Sequence, residues 1–170
     1  MTAILNQHEN YLQADQAYGF PLLIKNLLSR AKVVSGDKKI HYADKTSYTY
    51  QEFFKRVNRL ANVLKGLNLQ KGDVVAVMDW DTHRYLECYF AIPMCGYILQ
   101  TVNVRLSEDK VLYTINHAKP KALLLNSEFS PMIKSHTQDA PSVEHVIWLD
   151  DNNTPMPSYA QGEYEAMLAQ

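Results

Sequence analysis

Residues 73–106 read DVVAVMDWDTHRYLECYFAIPMCGYILQTVNVRL, where short apolar runs rich in β-branched residues alternate with a longer helical pattern. The alternation continues as far as Leu149. Such alternation is typical of a parallel sheet covered by helices. The sequence therefore predicts an α/β fold with a partly parallel sheet and flanking helices. The predicted strands are 74–77, 97–102, 122–125 and 143–149, and the predicted helices are 82–95 and 107–117.

A helix and a β-hairpin precede the alternating region. Apolar residues at helical spacing predict an amphipathic helix over 20–34, with Pro21 in its first turn. Two short β segments, 39–42 and 46–50, flank a turn at Ala43-Asp44-Lys45 and predict the hairpin.

A capping box predicts where the next helix begins. Thr49 and Glu52 have the spacing at which the threonine oxygen accepts from the amide of Glu52 and the carboxylate reaches back to the amide of Thr49. Gly66 lies where this helix should end. Apolar residues of this helix recur at helical spacing and form a stripe along one face. We interpret the polar residues between them as the solvent-exposed face of the same helix. The stripe is Phe53, Val57, Leu60, Leu64 and Leu67, and the polar residues are Lys55, Arg56, Asn58, Arg59 and Asn62.

The pattern divides the chain into three parts. Residues 1–19 form an N-terminal extension, residues 20–150 form the α/β unit, and residues 151–170 form an irregular tail. Since the tail shows no obvious domain end, we expect it to lead into a missing catalytic region and the chain to be a truncated fragment.

Composition excludes several classes of protein. With 17 basic and 18 acidic residues, the net charge of −1 provides no basic surface for nucleic acid. The longest apolar run, 88–99, is too short for a transmembrane segment. Residues 1–13 lack the basic start and apolar core of a secretory signal, so we expect a cytoplasmic protein. Cys88 and Cys95 then read as buried thiols rather than a disulfide.

Residues 85–94 would be apolar around nearly the whole circumference of a helix, with Glu87 as the one clearly polar residue. Such a helix must be covered on several sides. We expect the remainder of a catalytic domain to cover it, with a homodimer as a further possibility. The isolated chain should then expose an apolar patch that includes Tyr85, Tyr89 or Phe90.

Polar residues follow the predicted strands, at the edge where ligands bind in open parallel sheets. Because surface loops are usually polar, these residues can also be ordinary loop residues without a ligand, and that interpretation remains the alternative to a binding site. The residues are Asp79, Trp80, Asp81 and Thr82 after the first strand, Asn103 and Arg105 after the second, and Asn126, Ser127 and Glu128 after the third.

Neither a phosphate loop nor a metal site is indicated. The six glycines are never closer than six residues, whereas close approach of backbone amides to phosphate needs a glycine-rich loop. His83 and Glu87 are one helical turn apart, and we interpret them as a pair on a helix surface rather than as metal ligands.

Residues 78–106 resemble the medium- and long-chain fatty acyl-CoA synthetases of the AMP-binding, adenylate-forming superfamily. The resemblance extends from about residue 20 to about residue 148. It includes Tyr48-Thr49-Tyr50, Lys71-Gly72-Asp73-Val74-Val75-Ala76 and Ile115-Asn116-His117-Ala118, each in its expected place before a helix or strand. The chain departs from the family pattern, which often has Asn at Asp81, His at Gln100 and Pro at Val104.

The resemblance implies an N-terminal subdomain of the adenylate-forming fold. It implies a ligase that uses Mg²⁺ and ATP to convert a fatty acid to acyl-AMP, and then transfers the acyl group to coenzyme A. The phosphate loop, the adenine segment and the catalytic Lys come later in such enzymes, so no catalytic residue is assigned, and this chain alone should bind no cofactor and be inactive. Acyl-AMP ligases, aryl-CoA ligases and a non-catalytic binding or dimerisation module remain alternatives.

The resemblance also implies one binding edge. In related synthetases the loop after the second parallel strand lies near the coenzyme A nucleotide, which places Thr101, Asn103 and Arg105 there. An Arg can contact a phosphate through two N–H groups. A structural salt bridge that shapes the loop is the alternative role for Arg105.

Overall fold

A computed structural model describes residues 23–170, so the predicted extension at 1–19 and the helix start at Pro21 lie outside the described residues. The predicted helices and strands occur in the predicted order, and short elements at 136–139 and 162–168 are additional. The helices are α1 (Ile24–Ser35), α2 (Tyr50–Gly66), α3 (His83–Met94), α4 (Glu108–Ala118), α5 (His136–Asp139) and α6 (Tyr164–Leu168), with a 3₁₀ helix at Ser127–Met132. The strands are β1 (Lys39–Tyr42), β2 (Thr46–Thr49), β3 (Val74–Met78), β4 (Ile98–Thr101), β5 (Ala122–Asn126), β6 (His145–Leu149) and β7 (Gly162–Glu163).

Five strands form one parallel sheet in the order β4-β3-β5-β6-β7. Its register aligns Val77 with Thr101 and with Leu124, so the carboxyl ends of β3, β4 and β5 lie side by side. Strands β1 and β2 form a separate antiparallel hairpin. The prediction of an α/β fold, with a hairpin that precedes a parallel sheet in the sequence, is therefore confirmed.

Successive residues of the central strands enter two different apolar cores, because strand side chains alternate between the faces of a sheet. On one face Val75, Val77 and Leu124 pack with residues of α2, α3 and α6. On the other face Met78 and Leu125 pack with residues of α4 and the 3₁₀ helix. Burying one large aliphatic side chain contributes about 1.5–3 kcal/mol, so both layers stabilise the sheet substantially.

Local chemistry sets the ends of the hairpin and of α2. Lys45 N donates to Tyr42 O at 3.1 Å, and Ala43 adopts a left-handed φ of 46° in the turn. At the start of α2 the backbone amide of Glu52 donates to Thr49 Oγ1 at 3.2 Å, which confirms the predicted N-cap. The Glu52 carboxylate pairs with Arg59 at 3.0 Å, on the exposed surface of α2.

Residues 162–168 are regular, and the prediction of an irregular tail was wrong for them. Glu163 aligns with Trp148 as β7 joins the sheet, and Tyr164 of α6 is fully buried. A Cβ at Gly162 would lie 2.9 Å from Met167 Cγ, so the absence of a side chain allows this close packing. A two-residue strand and a five-residue helix are too short for periodicity to reveal.

Helix α3 is covered more fully than its composition suggests. Tyr85 is buried and Phe90 is half-buried, whereas Leu86, Tyr89 and Met94 are 37–43% exposed. Of the three residues expected to be exposed, Tyr89 is exposed, Phe90 is half-buried and Tyr85 is buried. No helix within residues 23–170 is long and apolar enough to span a lipid bilayer.

Candidate binding site at the carboxyl edge of the sheet

The loops after β3 and β4 enclose a cavity of about 190 Å³ at the carboxyl edge of the sheet. Thr101, Asn103 and Arg105, the predicted site residues, all line it, and all three are exposed. Polar groups after neighbouring parallel strands meet here, as the sequence predicted. The other lining residues are Asp79, Trp80, Asp81, Tyr85, Tyr89, Val102 and Val104.

Asp79 fixes the backbone of the loop after β3. It is 3% exposed, and its carboxylate accepts hydrogen bonds from the Thr82 hydroxyl at 2.5 Å and the Asn126 amide at 2.6 Å. The backbone amide of Trp80 also donates to it at 2.9 Å. Burial raises the pKa of Asp79, while these hydrogen bonds oppose the rise. Because its oxygens are occupied, Asp79 shapes the cavity rather than receiving a ligand.

Trp80 forms the part of the wall between β3 and β5. Its Nε1–H donates to Glu128 Oε2 at 2.8 Å, and its ring lies against Phe129 with 4.9 Å between centroids. The side chain remains 36% exposed. The guanidinium carbon of Arg105 lies over this ring, 5.4 Å from its centroid.

Arg105 is the cation of the cavity. Its backbone amide donates to Asn103 Oδ1 at 3.1 Å, which folds the loop after β4. None of the ion pairs formed within residues 23–170 includes its guanidinium. The structure therefore does not support the salt-bridge alternative for Arg105, and the side chain can offer its N–H groups to an anion.

A second cavity of about 260 Å³ adjoins the first. The two share Asp81, Tyr85 and Tyr89 as lining residues, and the two tyrosine rings lie 5.2 Å apart. The combined groove thus has a cation at one end, an aromatic wall in the middle and the exposed Asp81 carboxylate beside it. Such a groove suits a ligand that carries both an anionic group and an apolar or aromatic portion.

A buried charged cluster lies on the other side of α3, and the sequence did not reveal it. Glu87 is fully buried and accepts from Tyr48 at 2.7 Å, from Arg56 Nε at 2.6 Å and from Tyr164 at 2.6 Å. Arg56 also donates two bonds of 2.8 Å to Glu165. Arg56 is therefore not part of the solvated face predicted for α2, because it joins α2, α3 and α6.

His83 and Glu87 do not form the surface pair predicted for them. His83 Nε2 lies 3.3 Å from Glu165 Oε1 instead. Burial by itself raises the pKa of Glu165, but hydrogen bonds from His83 and Arg56 outweigh it and lower the pKa to about 2. Within residues 23–170 no group of three His, Cys, Asp or Glu side chains is arranged to hold a metal ion.

A lone Glu in the otherwise apolar stretch 85–94 was the signal that could have identified the cluster. A buried carboxylate requires several donors, so its presence implies partners on neighbouring elements. Those partners, Arg56 and Tyr164, are 31 and 77 residues away in sequence. The cluster binds secondary-structure elements together, and His83, which contacts Glu165, also lines the second cavity.

Comparison with known proteins identifies similar sequences. The pattern that defines the family described as "AMP-binding enzyme" matches residues 28–168. The long-chain-fatty-acid–CoA ligase of Thermus thermophilus is 34% identical over 74% of this chain and 23% of its own length. The peroxisomal benzoate–CoA ligase of Arabidopsis thaliana is 31% identical over 90% of this chain and 27% of its own length.

Solved structures share the fold. An anthranilate CoA ligase in complex with anthranoyl-AMP superposes with a TM-score of 0.75 at 22% identity, over 88% of this chain and 28% of that one. The coronafacic acid ligase of Pectobacterium brasiliense superposes with a TM-score of 0.74 at 15% identity, over 85% of this chain and 29% of that one. The chain spans about a quarter of the length of the curated relatives it matches.

Proposed function

Because the chain belongs to the family of AMP-binding enzymes, we propose that the whole protein is an adenylate-forming ligase that activates a fatty acid with ATP and transfers the acyl group to coenzyme A. In the first step the carboxylate attacks the α-phosphate of ATP, which gives acyl-AMP and pyrophosphate. In the second step the thiol of coenzyme A attacks the acyl carbon and AMP leaves. Neutralising phosphate charge is the main catalytic task in such chemistry, and Mg²⁺ would accompany ATP.

Residues 23–170 supply one part of this machinery. They contain no glycine-rich loop for the ATP phosphates, so we place ATP and the catalytic residues elsewhere in the whole protein. The groove at the carboxyl edge is the part that this chain contributes. We therefore assign no catalytic residue to it.

We propose that Thr101, Asn103 and Arg105 border the coenzyme A nucleotide. The observation that supports this is the exposed Arg105 guanidinium, which has no carboxylate partner within the described residues and lines a cavity at a sheet edge. The Thr101 hydroxyl and the Asn103 amide add neutral donors beside it. Together these groups suit a phosphate ester.

The test is steady-state kinetics on the whole protein, with acyl-CoA and AMP as measured products. We expect Arg105→Gln to raise KM for coenzyme A by about tenfold, the loss of one charge-assisted contact, and to leave KM for ATP unchanged. Arg59→Gln is the matched control, since Arg59 lies on α2 and pairs with Glu52. Equal KM values for coenzyme A in all three proteins would remove Arg105 from the site.

An aromatic acid is the second candidate substrate. It is favoured by the similarity to a benzoate–CoA ligase, which covers 90% of this chain. The same assay decides between the two, because kcat/KM for a fatty acid series can be compared with kcat/KM for benzoate. A higher value for benzoate would replace the fatty acid in the proposal. Formation of acyl-AMP without acyl-CoA would indicate an acyl-AMP ligase, and the absence of both would favour a non-catalytic module.

We also propose that the protein acts in the cytoplasm. Cys88 and Cys95 are free thiols, which suits a reducing compartment such as the cytoplasm. Fractionation of the source cells should find the protein with cytosolic markers, and recovery with sealed organelles would contradict it.

A further inference from the structure

We propose that Trp80 is a positioning residue that holds the Arg105 guanidinium over the cavity for a phosphate ester, and that Glu128 in turn holds the indole. The identity of that phosphate ester rests on the proposed function, in which it belongs to coenzyme A. The contact between the two side chains does not depend on it.

The geometry places the cation over the aromatic face. The Arg105 guanidinium carbon is 5.4 Å from the Trp80 ring centroid, inside the distance of about 6 Å within which the ring quadrupole attracts a cation. Arg105 is exposed, and a long free side chain samples many rotamers. Attraction to the indole restricts that freedom before any ligand arrives, which lowers the entropic cost of binding.

Contact with a ring holds Arg105 without using its hydrogen-bond donors. A carboxylate partner would accept hydrogen bonds from the N–H groups of the guanidinium. An aromatic ring attracts the cation through its face and leaves those N–H groups without an acceptor. The N–H groups then remain available to phosphate oxygens. This arrangement distinguishes Arg105 from Arg56, whose N–H groups are occupied by Glu87 and Glu165.

The indole is itself held from a third strand. Glu128 follows β5, and its Oε2 accepts the Trp80 Nε1–H at 2.8 Å, so this carboxylate bonds the indole rather than the arginine. The Phe129 ring also packs against the indole, with 4.9 Å between ring centroids. Residues after β3, β4 and β5 therefore act in series, since Glu128 orients Trp80 and Trp80 orients Arg105.

The first experiment detects the cation beside the indole and needs no ligand. The experiment measures tryptophan fluorescence of the 170-residue chain, which has two tryptophans. Trp80 is 36% exposed and Trp148 is 2% exposed, so ionic quenchers in solution act on the fluorescence of Trp80. Removing a nearby positive charge lowers the local concentration of iodide and raises that of caesium. We expect Arg105→Gln to reduce quenching by iodide and to increase quenching by caesium, and Arg59→Gln to change neither.

The second experiment measures the effect on binding in the whole enzyme. We expect Trp80→Leu to raise KM for coenzyme A by about two- to fivefold, the range that an exposed cation–π contact corresponds to, with kcat unchanged. Trp80→Phe keeps an aromatic face and should restore most of the affinity. Loss of fold is monitored by circular dichroism, and the pair of variants separates positioning from simple packing.

Each outcome has a distinct meaning. Quenching that Arg105→Gln does not alter, or equal KM values for the wild type, Trp80→Leu and Trp80→Phe, would overturn the positioning role. If Arg105→Gln leaves KM for coenzyme A unchanged while the quenching shifts as expected, the contact stands and the coenzyme A assignment falls. A KM that rises equally in the Leu and Phe variants would refute the requirement for an aromatic face.

Discussion

Replacing Glu87 by Gln tests whether the buried charged cluster holds the elements of the fold together. The change keeps the size of the side chain and removes its charge. Glu87 Oε1 accepts from Tyr48 and Arg56 Nε, and Oε2 accepts from Tyr164 and more distantly from Arg56 Nη2 at 3.3 Å. A glutamine must turn its NH₂ group toward one of these two sets of donors.

The expected destabilisation follows from burial. The tyrosine hydroxyls can rotate and accept, but the guanidinium of Arg56 has no acceptor and cannot adapt. Removing one partner of a buried ion pair costs about 3–5 kcal/mol, and because Glu165 still pairs with Arg56 we expect the lower end, about 3 kcal/mol. For a chain of this size that corresponds to a decrease in Tm of roughly 6–12 °C.

Urea unfolding followed by far-ultraviolet circular dichroism measures the change in the free energy of unfolding. Glu52→Gln is the matched control, because Glu52 is a partly exposed carboxylate on α2 that also pairs with an arginine. Exposed pairs of this kind contribute about 0.2–1 kcal/mol. Two results would refute the reasoning that burial makes this ion pair important for stability. One is an equal urea midpoint for the two variants, and the other is a free energy of unfolding of Glu87→Gln within about 0.5 kcal/mol of the wild type.

Three further predictions concern acid stability, helix capping and activity. The pKa of Glu165 is about 2 in the folded chain against an ordinary 4.5, so the ionised carboxylate stabilises the fold fully above pH 4.5 and this contribution is lost as the pH falls from 4.5 to about 2. Over this pH range the urea midpoint should fall less steeply in Glu165→Gln than in the wild type. Equal dependence of the midpoint on pH in the two proteins would argue against the lowered pKa. Thr49→Ala should lower the free energy of unfolding by about 1 kcal/mol through loss of the bond from the Glu52 amide, and an unchanged denaturation midpoint would exclude that cap. The 170-residue chain alone should show no fatty-acid-dependent ATP–pyrophosphate exchange, since it has no glycine-rich phosphate loop, and exchange above a protein-free blank would contradict this.

The sheet could be predicted from sequence because its signals are local. Runs such as Val74–Met78 are β-branched or apolar throughout, and each is separated from the next by a segment with helical periodicity. The rule that parallel strands end at one edge then brought Arg105 and Asn103 beside the loop after β3. The contact between Arg105 and Trp80 depends on side-chain rotamers, which no spacing rule supplies.

The buried cluster could not be predicted because its signals are distant in sequence. Arg56 falls on the polar side of α2, and helical periodicity alone describes such a position as solvated. The fold buries it by bringing Glu165 to it from 109 residues away. The helix that carries Glu165 has five residues, which is too short for hydrophobic periodicity to indicate.

The position of Tyr164 in the chain has a consequence for biosynthesis. Its hydroxyl reaches Glu87 across 77 residues of sequence. At a synthesis rate of about 5–20 residues per second, a ribosome needs roughly 4–15 seconds to add that interval. During this time the nascent chain contains Glu87 but not yet Tyr164, so the Glu87 carboxylate lacks one of its hydrogen-bond donors. Before α6 is made, the docked helices therefore lack one hydrogen bond to a buried carboxylate, and we expect them to open to proteases more readily than in the finished fold.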